Sequence, residues 1–126
     1  MQITAFNPMI LSKNAEEIIK LFEELGFERR HQMDNIDGMD ISNVRMTDPN
    51  GFRVDVARVE FMEKDMTTMI MNVRDFDEAY EFLKSHEFKN VRGKDHIVES
   101  ESARSCQMIA PSGFSIQLTQ HIRKEE

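Results

Sequence analysis

Apolar residues recur at the spacing of an amphipathic helix from Asn14 to Leu25, where Ala15, Ile18, Ile19, Phe22 and Leu25 share one face. Both ends are marked. Asn14 followed by Glu17 has the form of a capping box, and Gly26 tolerates positive φ just past the last turn. A second helix begins at Asp75, with Glu78 three residues on and Phe76, Ala79, Tyr80 and Leu83 on one face. Laying Asn14 on Asp75 and Glu17 on Glu78 gives an offset of 61, which also places Phe27 on Phe88. The chain contains an internal repeat.

The repeat returns near the end of each half. Asp48-Pro49-Asn50-Gly51-Phe52 matches Ala110-Pro111-Ser112-Gly113-Phe114 at an offset of 62, and each turn leads into a segment that alternates like a strand. After Gly51, Val54 and Val56 take one face and Arg53, Asp55 and Ala57 the other; after Gly113, Ile116 and Leu118 oppose Ser115, Gln117 and Thr119. The first-half strands are predicted at Ile3 to Leu11, Phe27 to Met33, Ile41 to Thr47 and Phe52 to Val59. Those of the second half run near Thr67 to Val73, Phe88 to Val91, Arg104 to Ile109 and Phe114 to Gln120. The polar stretch Gly93 to Ala103 is predicted as a flexible connection, and His121 to Glu126 as a solvated tail. Two tandem βαβββ modules result, about 1–62 and about 63–126, within one α+β domain.

At 126 residues, with 40% hydrophobic and 31% charged side chains, the chain is long enough to bury a core. Its net charge of −7 disfavours a nucleic-acid or anionic-lipid surface and suits a cationic or neutral small partner better. One cysteine, Cys106, excludes an internal disulfide and any site built from several thiolates. No apolar run reaches membrane-spanning length, and the start MQITAFNPMIL lacks the basic flank of an export signal, so a cytoplasmic protein without membrane partners is expected.

The two capped helices and the doubled Pro-x-Gly turns resemble the vicinal oxygen chelate superfamily, which includes glyoxalase I, extradiol dioxygenases and bleomycin-resistance proteins. The resemblance covers nearly the whole chain. It implies curled mixed sheets around a cleft, helices on the outer face, and a homodimer. Metal-dependent members place one ligand seven residues before each helix cap and one four residues after each turn glycine. Those positions are Asn7, Asp55, Thr68 and Gln117 here, of which only Asp55 is ionised. Neutral amides and hydroxyls are weak donors for a divalent ion, so neither a bound metal nor another cofactor is expected. The cleft would be lined by Asn7 and Met9, by Arg53, Asp55 and Ala57, by Thr68 and Ile70, and by Ser115, Gln117 and Thr119.

The remaining candidates argue for structure more than chemistry. His86 ends the second helix, where a cation meets the dipole; His31 and His96 could form a pair in the cleft but read better as two surface imidazoles. Cys106 reads as a small core residue. Most methionines, Met39 among them, read as core filling; Met69 and Met71 belong beneath the second helix, and Met9 is reserved for the pocket. Three functions follow: a metal-free small-molecule binder, an enzyme with Asp55 as general base or residual metal ligand, or a structural or regulatory dimer with a vestigial cleft.

Overall fold

The computed structural model describes residues 1–34, 41–99 and 103–121. Met39, residues 100–102 of the predicted connection and the tail beyond His121 lie outside the described residues. In chain order the elements are β1 (Ile3–Ser12), α1 (Ala15–Glu24), β2 (Glu28–Met33), β3 (Ile41–Thr47), β4 (Arg53–Val59), β5 (Met66–Val73), α2 (Phe76–Ser85), β6 (Lys89–Asn90), β7 (Val98–Glu99), β8 (Ala103–Ile109) and β9 (Ser115–His121). The α+β repeat is present, with β7 added. This two-residue strand lies inside the stretch expected to be a flexible connection, where Val98 pairs with Ser105 and Glu99 with Arg104. An ion pair from Arg104 Nε to Glu99 at 3.3 Å accompanies the pairing. His121 likewise belongs to β9, opposite Ala103, and not to the tail.

The contacts divide the chain into two compact units. One is Asn7–Thr68; the other joins Met1–Phe6 to the residues from Met69 onward. In the first, the strand order is β2-β3-β4-β1, antiparallel except for the parallel pair β1 and β4. The β2 end strand carries a register shift between Arg29 and His31, and Glu28 to Gln32 are all exposed. Ala15 and Ile19 of α1 cover Val44, Met46, Val54 and Val56. In the second unit the order is β5-β9-β8-β6, with β7 also on β8 and β5 parallel to β9. There Phe76, Ala79, Tyr80 and Leu83 of α2 cover Met71, Val73, Cys106, Met108, Ile116 and Leu118. Cys106 is core, as expected; Met71 is core and Met69 only half-buried. Met1 and Gln2 are tied to this unit through an ammonium–Glu78 contact of 3.0 Å and a bond from the Arg74 N–H to the Gln2 carbonyl.

The helix starts differ from one another. Asp75 accepts from the Glu78 N–H at 3.1 Å, as a cap should. The Asn14 side chain makes no capping bond. Its backbone N–H instead donates to Ser12 Oγ at 3.0 Å, so the hydroxyl just ahead of the helix takes up a donor that the sequence pattern assigned to a capping box.

The candidate site around Asp55

Alternation along β4 puts Val54 and Val56 beneath α1 and turns Arg53, Asp55 and Ala57 to the opposite face. Strand pairing then sets the neighbours of Asp55. Met9 of β1 and Arg45 of β3 are its register partners, and His31 of β2 is in turn the partner of Arg45. Asp55 is 0% exposed. A buried carboxylate needs compensation, because losing its hydration costs several kcal/mol unless charges or donors replace the water. Asn7 Nδ2 donates to Oδ1 at 3.0 Å and Asn43 Nδ2 donates to Oδ2 at 2.7 Å. Arg45 Nε stands 3.7 Å from Oδ1, an ion pair longer than a hydrogen bond.

The orientation of the two amides follows from this chemistry. An ionised carboxylate only accepts, so each amide must turn its nitrogen toward Asp55. Asn7 Nδ2 also donates to the Pro8 carbonyl at 3.0 Å, which commits both of its hydrogens. Asn7 Oδ1, Asn43 Oδ1 and Arg45 Nε are left buried without a hydrogen-bond partner. Such groups cost about 1–3 kcal/mol each when nothing satisfies them.

The second unit has no equivalent charge at this position. Gln117 occupies the place of Asp55 in the repeat, paired with Gln107 on one side and Ile70 on the other. Thr119 pairs with Ser105 and Asn72. Thr68, Ile70, Asn72 and Ser115 are buried, and Gln117 and Thr119 are half-buried. Asn72 Oδ1 is another buried oxygen without a partner.

The structure therefore places Asn7, Met9, Arg53 and Asp55 on one face of the first unit, with Arg53 exposed at its margin. In the second it places Ile70, Gln117 and Thr119 side by side. Asn43 and Arg45 were missed by sequence reasoning, which followed only the strands carrying metal positions in the resemblance, and Asn72 because on β5 it stopped at Ile70. The signal was present: Val44 and Met46 face the core, and the same alternation puts Asn43 and Arg45 opposite.

The four positions inferred for a metal do not fit one. Both Asp55 oxygens accept amide hydrogens, Arg45 faces the same carboxylate, and the other three side chains are neutral. Gripping a divalent ion would require breaking that cage to recruit one good donor. Among the described residues there is no group of three or more His, Cys, Asp or Glu placed to hold a metal. His86 caps the end of α2 against the Phe82 ring, and His31 is exposed on β2. Burial pushes the Cys106 thiol up to about 12, which makes it a poor nucleophile. Burial also raises Tyr80, whose hydroxyl donates to Asp95 at 2.9 Å.

A hollow of about 230 Å³ lies on the helix-covered face of the first unit, among Ala15, Glu16, Ile19, Val44, Val56 and Arg58. Its lining contains none of the Asp55 partners. The buried unpaired atoms are a stronger sign of chemistry than this hollow, because they have a free-energy deficit that a ligand can remove.

No protein-family model matches the chain, and no curated protein matches it by sequence. Solved structures do match. Methylmalonyl-CoA epimerase from Mycobacterium tuberculosis superposes with a TM-score of 0.72 at 16% identity, over 96% of this chain and 90% of that one. Glyoxalase I from Zea mays gives 0.66 at 15% identity, over 98% of this chain and 45% of the maize chain. A glyoxalase/bleomycin resistance protein/dioxygenase superfamily member from Vibrio splendidus 12B01 gives 0.57 at 15% identity, over 96% and 100%. At these identities the likeness is one of fold.

Proposed function

We propose that this chain, which has the fold of the vicinal oxygen chelate superfamily, is a small-molecule-binding protein whose ligand contacts centre on Asp55 and which works without a catalytic metal or other cofactor. One observation carries the proposal: Asp55 holds Asn7 and Asn43 with their nitrogens inward, leaving two buried acceptor oxygens and the Arg45 Nε donor without hydrogen-bond partners. A ligand that pairs them gains hydrogen bonds in a site whose orientation is already fixed.

The same contacts favour binding over proton abstraction by Asp55. A general base must have a lone pair free for the proton it removes, whereas both oxygens of this carboxylate already accept from amides. Asp55 would act through Asn7 and Asn43, holding them in place. The homodimer implied by the resemblance belongs to the same proposal and is measured by light scattering.

Thermal shift across a metabolite panel tests the proposal, since a ligand that binds only the folded chain raises its melting temperature. At least one compound should bind, and Asp55→Asn should weaken it, because a neutral amide no longer forces both neighbours to turn their nitrogens inward. Binding unaltered in Asp55→Asn would remove Asp55 from the site. A stoichiometric divalent ion in the purified protein, lost in Asp55→Asn, would restore the metal-dependent reading, and a panel without any binder would favour a structural dimer.

A further inference from the structure

We infer that the ligand of the Asp55 site is a small zwitterion of the α-amino acid class, with its ammonium on the Asn7 and Asn43 side-chain oxygens and its carboxylate on Arg45. The inference rests on the binding function proposed above and specifies what is bound.

The ammonium follows from the two oriented amides. Asn7 can offer only an acceptor, because both of its N–H groups are used, by Asp55 and by the Pro8 carbonyl. Asn43 is turned the same way by its 2.7 Å bond to Asp55 Oδ2. Each amide dipole has its positive end on the carboxylate and its negative end pointing away from it. Together they relay the negative charge of Asp55 to two buried oxygens without hydrogen-bond partners. A donor bearing positive charge suits such a pair better than a neutral one, since hydrogen bonds to charged groups are the stronger kind.

The carboxylate follows from the arginines. Arg45 Nε is buried and lacks a hydrogen bond, and its 3.7 Å separation from Asp55 leaves it open to a shorter contact. Arg53 projects from the same face of β4, is exposed, and forms no ion pair among the described residues. Glu28, the register partner of Thr47, adds a second carboxylate to this face, so the two acids and two guanidiniums balance. A simple cation would leave the Arg45 Nε donor without a hydrogen bond, and a simple carboxylic acid would leave both amide oxygens without one. A molecule bearing both charged groups on one carbon supplies a partner for each group that the cage leaves open.

Calorimetry and thermal shift on the full chain test this with the twenty common α-amino acids. Each binder is then repeated as its carboxamide, which lacks the carboxylate, and as its 2-hydroxy acid, which lacks the ammonium. At least one amino acid should bind, and each one-ended analogue should bind about tenfold more weakly or worse. Arg45→Gln should weaken the amino acid by a similar factor yet leave the carboxamide unchanged, a split that general damage to the site would not produce. Should Arg45→Gln fail to fold, Arg45→Lys keeps the charge, loses the Nε donor and should show the same split in reduced form. No binding by any amino acid, or equal binding by an analogue, overturns the inference. If another metabolite then binds in an Asp55-dependent way, the proposed function stands without it; if nothing binds, both fall.

Discussion

The two modules share a backbone plan and differ in how they treat one buried position. In the first, β4 places a charged Asp55 in the interior and surrounds it with Asn7, Asn43 and Arg45. In the second, β9 places a half-buried, neutral Gln117 among Gln107, Ile70, Thr119 and Ser115. Sequence repetition thus preserved the pairing of strands while the side chains facing away from the helices diverged. The helix-facing side shows the reverse. Val54 and Val56 correspond to Ile116 and Leu118, and both pairs are buried beneath a helix. Hydrophobic burial tolerates exchange of one aliphatic for another, whereas a buried charge demands specific partners.

The largest test of this contrast compares Asp55→Ala with Gln117→Ala by urea unfolding. The first strands two amide donors and a guanidinium, and should cost about 3–5 kcal/mol. The second removes a neutral, partly solvated amide and should cost about 0.5–1.5 kcal/mol. Equal costs would mean that the cage contributes nothing beyond ordinary packing. A smaller difference is expected at the helix starts: Asp75→Ala removes a real cap and should cost about 1 kcal/mol. Asn14→Ala, lacking such a bond, should stay within about 0.5 kcal/mol.

The smallest effect sharpens the comparison at the helix ends. Gly26 and Glu87 occupy equivalent places with φ of 105° and 69°, and each precedes a phenylalanine whose N–H bonds back to the final turn. Glycine accepts this conformation freely and glutamate does not. Glu87→Gly should therefore raise stability by about 0.5–1 kcal/mol, net of glycine's greater entropy in the unfolded chain. Differential scanning calorimetry reads the change as a rise in melting temperature. A fall would show that the Glu87 side chain contributes more than its backbone strain costs.

Much of this fold was legible in the chain because its signals are local. The 3.6-residue spacing of Ile18, Ile19 and Phe22, the glycines after each Pro-x and the alternation after Gly51 and Gly113 each specify a few consecutive residues. Strand β7 was not legible, since Val98 and Glu99 form a strand only by pairing with Ser105 and Arg104. The Asp55 cage was half legible. Alternation turns Asp55 and Asn43 to one face, but their meeting depends on the register of β3 against β4, and that of Asn7 on a parallel pairing across an intervening helix and two strands. Neither half of the predicted capping box forms, because the Glu17 N–H bonds the Asn14 carbonyl and Ser12 Oγ takes the Asn14 N–H, a competition that residue types alone do not resolve.

The β2 end strand bears on how copies of this chain can meet. A bare strand edge offers a row of unsatisfied backbone groups to any neighbour, which is the usual route from a soluble sheet to a fibril. Here that edge is interrupted by a bulge at Arg30 and bristles with Glu28, Arg29, Arg30 and His31. Another strand added there would lose register at the bulge within a few residues. Open-ended strand addition along this border is thereby disfavoured.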